Sequence, residues 1–496
     1  MQWNNILTQL PVKASGSLGN LGNPEVSDVF CDSRAVVPGS LYVAIPGFKQ
    51  HGDSFIAAAI AQGACAILSE NPQPTCTVPW AQVPDVRKNL GLVSRAVHGV
   101  DVSQTLFIGI TGTNGKTTTA YLFKKLLALV YGDPAVWMFG TIKYSTGDSD
   151  TAAQRTTPES SDIFRSMGRA QQQPKAVVME VSSHALALNR VAGLAFDCAV
   201  FTNLTHDHLD FHTSMEEYYR AKKRLFTDFS GGRRGAAVNI DDPWGRKLAG
   251  ELDIKNMVTY GTSDDARVRL IGSECTGVGT TIECRIGGAV ERFSSKLAGR
   301  FNAYNMTALI AGAIALSIDM SDVGKCFKTI DTVPGRMERV DVGADFPVFV
   351  DYAHTPDALE NVCATARDLT DNRLICVFGC GGDRDAAKRP LMAAAVASYC
   401  DEAIVTSDNP RSEKPEAIIR DILRGMPLDF PHTVIADRME AIRKAMRIAR
   451  KGDCVIIAGK GHEDYQEVRG VRHHFDDREA VVEAYAEARG DHAQAR

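Results

Sequence analysis

Residues 111–119 read TGTNGKTTT, and this stretch limits the fold of the chain more than any other. It follows an apolar run, Leu106 to Ile110, which predicts a buried strand, and it precedes residues 120–127, which predict a helix. A strand, a glycine turn and a helix that begins at Lys-Thr form a phosphate cradle, because backbone N–H groups and the helix dipole attract anions. The alternative, a glycine turn with an exposed lysine, does not explain why strand, turn and helix agree.

The residues predicted to hold phosphate are Gly112, Thr113, Asn114, Gly115, Lys116, Thr117 and Thr118. We expect the amides from Gly112 to Gly115 to face the phosphates, Lys116 to add a positive charge and the Thr117 hydroxyl to bind Mg²⁺. The generic pattern has its first glycine where this chain has Ile110. The loop is therefore predicted to be tighter than in ordinary P-loop proteins.

Composition excludes several classes of protein. A net charge of −5 argues against general nucleic-acid binding, which requires a basic face. No apolar run approaches the length of a membrane-spanning helix, and the N-terminus lacks the pattern of a signal peptide. We therefore expect a cytoplasmic protein that does not insert into membranes. The twelve cysteines are scattered without a C-x-x-C pair, which favours buried reduced thiols over a zinc knuckle.

The chain divides into three predicted units, and its 496 residues suffice for two to four domains. Residues 1–101 hold short apolar runs broken by turns, which predict a small α/β domain. In residues 102–333, apolar strands alternate with helical stretches, which predicts a mostly parallel P-loop sheet flanked by helices. A hinge at Val333-Pro334-Gly335 leads to a Rossmann-like α/β domain in residues 334–496. The predicted fold class is thus α/β with three domains.

The third unit predicts a second ligand site. Its four strand-like runs are followed by DYAHTPD (351–357), GCGGDRD (379–385), SDNPR (407–411) and GKGHE (459–463). Ligands of open α/β sheets bind beyond the carboxyl ends of the strands. The alternative, that these are only turn residues, explains the glycines and prolines but not the charges at every strand end.

Candidates for a metal site follow two strands of the central unit. Glu180 follows a strand that we expect beside the phosphate loop, where an acidic residue often assists with Mg²⁺. His206, His208 and His212 come after another strand, and they leave open a zinc site or one histidine that completes a Mg²⁺ site. Lys222 lies on a helix with other basic residues, which on physical grounds alone predicts a solvated basic face.

Seven ordered motifs carry a resemblance to a known family. They are GTNGKTT (112–118), MEVSSH (179–184), TNLTHDHLDFH (202–212), Y-x-x-A-K (218–222), GRFNAYN (299–305), DYAHTPD (351–357) and DNPR (408–411). Together they resemble the Mur ligases, the ATP-dependent amide-forming enzymes of peptidoglycan precursor synthesis. The resemblance covers nearly the whole chain and implies ATP as a substrate and Mg²⁺ as a cofactor.

The DNPR motif implies which amino acid is used. It is similar to that of the family members that add meso-2,6-diaminopimelate to the D-glutamyl γ-carboxylate of UDP-N-acetylmuramoyl-L-alanyl-D-glutamate, through an acyl phosphate. An arginine can hold the second carboxylate of diaminopimelate with two parallel hydrogen bonds. The residues implied in this pocket are Arg384, Asp408, Asn409, Pro410, Arg411, Gly459 and Glu463.

The resemblance implies further roles position by position. Thr117, Glu180, His208 and Lys222 surround Mg²⁺, with Lys222 as a carbamate, which replaces the interpretation as a solvated face. Lys116, Lys222 and His208 are the implied catalytic residues, and His208 is a candidate base for the amine only if no metal occupies it. The nucleotide contacts outside the loop are Asn302, Asn305, Arg336, Asp351 and His354.

The resemblance also implies where the UDP-sugar dipeptide binds. Its residues are Cys31, Ser33, Phe48, Lys49, Gln50, Arg155, Thr156, Thr157, Ser182, Leu188 and Arg190. Leu188 stands where relatives often have glutamine, and Arg155 stands where some have asparagine.

Three other functions stay open at this point. An L-lysine-adding ligase is disfavoured by Arg411, and a non-catalytic nucleotide-binding regulator is disfavoured by Lys116, Glu180 and Lys222. A folate-polyglutamate type of ligase shares the TGTNGKTT loop, but the DNPR motif and the region of Ser33 disfavour it. We expect a monomer whose partners are small-molecule substrates.

Overall fold

The computed structural model describes residues 1–16, 22–47, 50–73, 75–147, 149–276, 279–330 and 332–494. The predicted ligand contacts Phe48 and Lys49 lie outside these ranges. None of the helices in the described part of the chain combines the length and the apolar character that a membrane crossing requires.

The N-terminal sheet has five strands in the order β1-β5-β4-β3-β2. All neighbouring pairs are parallel except β1 with β5. The elements of this region are α1 (Trp3–Leu7), β1 (Ala14–Gly16), β2 (Asp28–Phe30), β3 (Ser40–Val43), α2 (Ile56–Ala61), β4 (Ala64–Ser69), β5 (Trp80–Gln82) and α3 (Val86–Val97).

The central sheet has eleven strands in the order β16-β15-β14-β13-β12-β11-β6-β10-β7-β8-β9. The strands from β14 to β7 in this order are parallel, and the outer strands are antiparallel. The elements are β6 (Leu106–Thr111), α4 (Lys116–Tyr131), β7 (Val136–Phe139), β8 (Lys143–Ser145), β9 (Asp150–Ala152), α5 (Ser160–Arg169), β10 (Ala176–Glu180), α6 (Ser183–Ala187), β11 (Phe196–Phe201), α7 (Met215–Thr227), β12 (Ser230–Asn239), α8 (Pro243–Glu251), β13 (Asn256–Gly261), β14 (Val268–Thr276), β15 (Gly279–Ile286), β16 (Ala289–Ser295), α9 (Arg300–Ala315) and α10 (Met320–Thr329).

The C-terminal sheet has six strands in the order β17-β18-β22-β19-β20-β21, parallel except at β17. A separate hairpin, β23 with β24, follows it. The elements are β17 (Glu338–Arg339), β18 (Val348–Asp351), α11 (Pro356–Asp368), β19 (Leu374–Phe378), α12 (Lys388–Tyr399), β20 (Glu402–Val405), α13 (Pro415–Leu423), β21 (His432–Val434), α14 (Arg438–Ile448), β22 (Cys454–Ala458), β23 (Tyr465–Val468), β24 (Val471–His474) and α15 (Asp477–Gln494).

Strand β6 lies between two apolar cores, which is why it is a continuous apolar run. Ile108 and Ile110 pack into the core formed with α4 and α9, whereas Phe107 packs into the core on the other face. Glycine is required at position 109 because a Cβ there would lie 2.9 Å from side-chain carbons of Leu225 and Phe196. Burial of each large side chain contributes roughly 1.5–3 kcal/mol to folding.

The predicted α/β class with mostly parallel sheets is confirmed. Parallel pairing places the carboxyl ends of β6, β10 and β11 at one edge of the central sheet. It likewise places the ends of β18, β22, β19 and β20 at one edge of the C-terminal sheet, as predicted. We propose the three-domain division at residues 101 and 333 on the separation of the three sheets.

Candidate functional site

The loop between β6 and α4 requires glycine at two positions, because a Cβ at either would clash with a neighbouring side chain. Gly112 has φ of 152°, and a Cβ there would lie 1.8 Å from Thr202 Oγ1. Gly115 has φ of 83° and caps α4, and a Cβ there would lie 2.5 Å from Asn305 Oδ1. Asn305 in turn donates to Asn302 Oδ1 at 2.9 Å. The two asparagines predicted to contact the nucleotide therefore support the loop from α9.

Two amides of the loop differ from the prediction that all of them face phosphate. Thr113 N–H donates to the carbonyl oxygen of Asn203 at 2.9 Å, and Asn114 N–H donates to Asn203 Oδ1 at 2.8 Å. The predicted amides of Gly112 and Gly115 are left for phosphate, together with those of Lys116 and Thr117 at the first turn of α4, where amides have no intrahelical acceptor. Sequence reasoning missed Asn203, although it lies just beyond the end of β11, after Thr202, in the TNLTH motif.

Lys116 spans the loop and is not an exposed residue. Its half-buried ammonium donates to the carbonyl oxygens of Gly112 at 2.9 Å and Thr113 at 2.7 Å. Burial lowers the pKa of Lys116. The position next to the first turn of α4 suits a cation that faces phosphate.

Thr117 and Glu180 form the oxygen-rich part of the site. Thr117 donates its hydroxyl hydrogen to Glu180 Oε2 at 2.8 Å. Thr141, which sequence reasoning missed, donates its amide to Glu180 Oε1 at 2.8 Å and its hydroxyl to Oε2 at 3.0 Å. Hydroxyl and carboxylate oxygens are ligands that Mg²⁺ prefers, so this pair fits the implied metal.

Lys222 is buried, which contradicts the solvated basic face predicted on physical grounds alone. Its side chain is 1% exposed, and its ammonium donates to Gly112 O at 2.7 Å. Burial, and then the charge of Lys116, lower the pKa of Lys222 well below its usual value. Tyr218, Lys222 and Leu225 share one buried stripe of α7 at helical spacing, and this periodicity was the available signal.

The histidines of the TNLTHDHLDFH segment separate in the structure. His208 has a left-handed φ of 54°, and its Nε2 lies 3.2 Å from Asp207 Oδ2. The His208 side chain is 42% exposed, but desolvation by the protein around it lowers its pKa to about 4, and the charge of Asp207 opposes the shift. His212 contacts Ser183 Oγ at 2.9 Å, and His206 is exposed. Within the described ranges these histidines form no metal-ligand cluster, so the zinc interpretation has no support.

The C-terminal region contacts the phosphate loop directly. Arg336 donates to Thr117 Oγ1 at 2.9 Å. Asp357, the last residue of DYAHTPD, accepts hydrogen bonds from the side chains of Asn114 and, at 3.2 Å, Thr205. Asp357 was not predicted as a site residue, although it lies within a quoted motif.

Asp351 and His354 are held by the backbone around the hinge. Both oxygens of Asp351 accept amides, from Met337 at 2.6 Å and Ala353 at 2.7 Å, and burial raises the pKa of Asp351 to about 6. His354 Nδ1 lies 2.7 Å from Tyr352 O, and burial lowers the pKa of His354 to about 4. Asp351 therefore fixes the turn that carries Arg336.

The predicted amino-acid pocket contains a buried charge cluster. Asn409 donates to Glu463 Oε2 at 2.8 Å. Lys460, which sequence reasoning missed within GKGHE, is fully buried and donates to Asn409 Oδ1 at 3.2 Å and Glu463 Oε2 at 3.3 Å. Asp408 Oδ1 lies 3.8 Å from the Lys460 ammonium and is buried without a hydrogen-bond partner in the described part of the chain. A Cβ on Gly459 would lie 2.7 Å from Asp408 Oδ2.

Arg411 lies where two strand-end loops interlock. It has φ of 50°, and its Nη1 donates to Gly382 O at 2.7 Å. Its Nε lies 3.5 Å from the carboxylate of Glu467 on β23, a partner that sequence reasoning missed. Gly382 also packs on the Pro410 carbonyl, where a Cβ would lie 2.0 Å from the oxygen. Arg384 is exposed on the same loop, and it donates to Asp383 O at 3.1 Å.

Three of the predicted dipeptide residues, Cys31, Arg155 and Arg190, lie around a buried acid, Glu159, that sequence reasoning missed. Glu159 Oε1 lies 2.9 Å from Arg155 Nη1 and 3.1 Å from Arg190 Nε. Burial raises the pKa of Cys31 to about 12, and the charge of Glu159 adds to the shift. Arg190 also has a pKa lowered by burial. The N-terminal and central regions thus meet at this group.

The other predicted dipeptide residues lie at element ends. Thr157 donates to Glu180 O at 2.8 Å and accepts from the Ser182 amide at 3.1 Å, which links this region to the phosphate site. Thr156 Oγ1 lies 3.2 Å from Thr141 Oγ1. Ser33 begins a short 3₁₀ helix, Gln50 is exposed, and Leu188 is half-buried at the end of α6.

Sequence profiles of one family match three parts of the chain. The Mur ligase family catalytic domain matches residues 25–98, the Mur ligase middle domain matches 110–313, and the Mur ligase glutamate ligase domain matches 335–461. The chain belongs to the Mur ligase family.

Individual relatives and solved structures are similar over nearly the full length. The UDP-N-acetylmuramoyl-L-alanyl-D-glutamate–2,6-diaminopimelate ligase from Geobacter metallireducens is 42% identical, and the alignment covers 96% of this chain and 96% of that protein. The ligase of the same name from Solibacter usitatus is 46% identical, and the alignment covers 93% of this chain and 94% of that protein. A solved structure with the same name is 33% identical, with a TM-score of 0.66 and coverage of 94% of this chain and 95% of that one. A MurF ligase from Thermotoga maritima in complex with ADP has a TM-score of 0.64 at 18% identity, with coverage of 96% and 100%, and shares the fold.

Proposed function

We propose that this chain is an ATP-dependent ligase that joins meso-2,6-diaminopimelate to the D-glutamyl γ-carboxylate of UDP-N-acetylmuramoyl-L-alanyl-D-glutamate. The observation that carries the proposal is the charge pattern of the pocket at 408–411 and 459–463. Two carboxyl groups, of Asp408 and Glu463, face the single ammonium of Lys460, and burial and the charge of Asp408 raise the pKa of Glu463, so a substrate ammonium would complete the charge balance. The names of the relatives at 42% and 46% identity support the same substrate.

The far end of diaminopimelate carries both an ammonium and a carboxylate. The Asp408–Lys460–Glu463 cluster suits the ammonium, and Arg384 and Arg411 suit the carboxylate. Arg411 exchanges the long contact with Glu467, 3.5 Å in this structure, for the substrate carboxylate. Lysine lacks this carboxylate and would leave the arginines without their partner, which disfavours it.

The reaction begins at the phosphate loop. An oxygen of the D-glutamyl γ-carboxylate attacks the γ-phosphorus of ATP, the bond to ADP breaks, and an acyl phosphate forms. Lys116 and the amides at the start of α4 offset the repulsion between the two anions. The diaminopimelate amine then attacks the acyl carbon, loses a proton and expels phosphate. Contact of Arg336 with Thr117 and of Asp357 with Asn114 brings the amino-acid pocket toward this carbon and helps to exclude water.

The residues implied for Mg²⁺ fit it in part. Thr117 and Glu180 supply oxygen donors that are already in contact at 2.8 Å. Lys222 fits only after its amine has become an anionic carbamate, and burial favours the neutral amine that reacts with CO₂. His208, whose pKa is lowered to about 4, is neutral near pH 7 and has a free electron pair for a metal. When bound, Mg²⁺ neutralises phosphate charge during transfer.

The remaining assignments are part of the same proposal. The UDP-sugar dipeptide lies against the group around Glu159, where Arg155 and Arg190 present positive charge. The monomeric state and the cytoplasmic location stay predictions from the sequence.

Isotope transfer tests the acyl phosphate directly. The dipeptide substrate is prepared with ¹⁸O in the γ-carboxylate and incubated with the protein, ATP, Mg²⁺ and diaminopimelate. We expect one ¹⁸O atom in each released phosphate and the tripeptide nucleotide by mass spectrometry. Phosphate without ¹⁸O would exclude the proposed activation, and absence of product in the complete mixture would exclude the ligase function.

A further inference from the structure

Three cysteines meet in the apolar core of the C-terminal sheet, outside the site described above. Cys363 lies on α11, Cys376 on β19, and Cys400 directly follows α12. Their three Sγ atoms lie within 4.8 Å of one another, and all three residues are buried free cysteines. Because three separate elements supply them, their spacing in the sequence shows no metal-binding pattern.

The surroundings of the cluster are apolar and nearly free of net charge. The enclosing core includes Leu359 and Met392. Hydrogen bonds from the Cys376 and Cys400 thiols lower the pKa of Cys363. The charge of Arg438 acts on Cys376, but this guanidinium is paired with the buried carboxylate of Asp477 at 2.7 Å.

We propose that Cys363, Cys376 and Cys400 form a binding site for a trivalent thiophilic metalloid of the arsenite class. Arsenous acid, As(OH)₃, reacts with three thiols without oxidation or reduction. Three As–O bonds break, three As–S bonds form, and each thiol proton leaves with a hydroxide as water. The product is neutral, which suits an apolar core because a buried net charge is unfavourable.

The net charge of the complex and the number of cysteine sulfurs favour arsenite over zinc at this site. Three thiolates around Zn²⁺ retain one net negative charge, and the core provides no unpaired cation among the described residues to balance it. Structural zinc sites also use four protein ligands, whereas the described cluster offers three. A neutral tris-thiolate complex needs neither a fourth ligand nor a counter-ion.

The distances allow one central atom to bind all three sulfurs. Arsenic(III) keeps a lone pair and binds three sulfurs in a pyramid, so with bonds of about 2.3 Å the sulfurs would lie about 3.5 Å apart. Sulfurs within 4.8 Å must therefore approach by at most about 1.3 Å, which side-chain rotations supply.

Binding would connect α11, β19 and α12. Helix α11 follows the DYAHTPD loop, and the GCGGDRD loop lies between β19 and α12. The complex would thus hold together elements that carry two loops of the proposed substrate site. We expect slower amide hydrogen exchange in these three elements. This inference is independent of the ligase function, because it rests on the thiol cluster alone.

The test uses the reduced full-length protein and arsenite as the probe. Native mass spectrometry should show one added arsenic atom minus three hydrogens for each chain. Alkylation after denaturation should then miss three of the twelve cysteines, and peptide mapping should identify them as the cluster. No adduct, or protection of other cysteines, would overturn the proposal. If the protein retained zinc in the presence of a mild chelator but did not bind arsenite, the argument from the charge of the complex would be overturned.

Variants supply a second test. Cys363→Ser and Cys400→Ser should lose the arsenic adduct, whereas Cys454→Ser, in the same apolar core but outside the cluster, should keep it. An adduct that persists in both cluster variants would overturn the proposal. If a cluster variant does not fold, the peptide map of the unsubstituted protein decides the question.

Discussion

Lys116 and Lys222 donate hydrogen bonds to the same carbonyl oxygen, that of Gly112, at 2.9 and 2.7 Å. Two ammonium groups that share one acceptor repel each other, and this repulsion adds to burial in lowering the pKa of Lys222. Burial also lowers the pKa of Lys116, but the pKa of Lys222 is lowered well below its usual value. Lys222 is therefore the residue of the pair that can lose its proton and react with CO₂.

Replacement of Lys222 by alanine should abolish turnover, and an added small carboxylate should restore part of it. We expect Lys222→Ala to reduce turnover at least about 100-fold, since the anionic ligand is lost. Short carboxylates such as acetate or propionate should restore part of the rate because they place an oxygen anion in the space left by the side chain. Phosphate release measures both effects. Lys223→Ala, on the same helix but in an ion pair with Glu251, is the control.

The carbamate itself should depend on pH. Only the neutral amine reacts with CO₂, and the lowered pKa of Lys222 extends the neutral form toward neutral pH. The carbamate signal in ¹³C NMR with ¹³CO₂ should therefore be present at pH 8 and decline as the pH falls. A protein without this signal and with CO₂-independent turnover would contradict the assignment.

Lys116→Ala should remove turnover while leaving the fold intact. The ammonium contacts only loop carbonyls among its described partners, so we expect a small change in melting temperature. Loss of a positive charge aimed at the transferred phosphate should reduce the rate by at least about 100-fold. Lys124→Ala, on the same helix but paired with Asp133, is the matched control. Normal turnover of Lys116→Ala would remove the phosphate role.

Arg411→Ala should mainly raise the KM for diaminopimelate. The guanidinium is fixed by Gly382 O and lies at the proposed carboxylate position, and a charge-assisted pair is worth about 1.5–3 kcal/mol. We therefore expect KM to rise about tenfold or more, with a smaller change in kcat. Arg420→Ala, exposed on α13, should leave both unchanged. An unchanged KM would mean that the second carboxylate is held elsewhere.

Asp28 should make stability depend on acid pH. Burial raises the pKa of Asp28, but the His98 ring at 3.2 Å and hydrogen bonds from Arg165 and the Val29 amide outweigh this effect and lower the pKa to about 2. The side chain is 3% exposed and joins β2 to α5. A shift of this size corresponds to about 2 kcal/mol of unfolding free energy at pH 7.

The sign follows from the lowered pKa of Asp28. The stabilisation is present above the ordinary carboxyl pKa near 4 and is lost as the pH falls toward 2. Asp28→Asn should therefore unfold at lower urea than the unsubstituted protein at pH 7, and the difference should shrink below pH 4. Asp162→Asn, which removes a half-exposed partner of the same Arg165, should have a small effect. Equal effects of the two changes would contradict the assignment.

The fold could be predicted from the sequence because its strands are continuous apolar runs with polar ends. Both β6 and the four C-terminal strands have this form, and parallel sheets buried on both faces require it. The pattern of apolar runs therefore predicts the positions of the strand-end loops correctly. Physical reasoning alone predicts an exposed Lys222 because basic residues surround it in the sequence. The structure shows that Lys222 instead belongs to the buried stripe of α7.

The rest of the site depends on contacts between distant segments. Asn203 accepts a hydrogen bond from the phosphate loop, and Thr141 donates one to Glu180. Glu159 pairs with Arg190, and Lys460 lies between two acids. None of these four residues has a local sequence pattern that indicates its partner. The cluster around Cys363 likewise comes from three elements. Such pairings are set by tertiary packing, which periodicity and spacing do not encode.

The most direct test of the proposed function compares two amino acids under identical conditions. Phosphate release is measured with ATP, Mg²⁺ and UDP-N-acetylmuramoyl-L-alanyl-D-glutamate, with either meso-diaminopimelate or L-lysine as the amine. The account predicts that kcat/KM for diaminopimelate exceeds that for lysine by at least about 100-fold, because lysine leaves the charges of Arg384 and Arg411 without a carboxylate. Equal kcat/KM values for the two amino acids would contradict it.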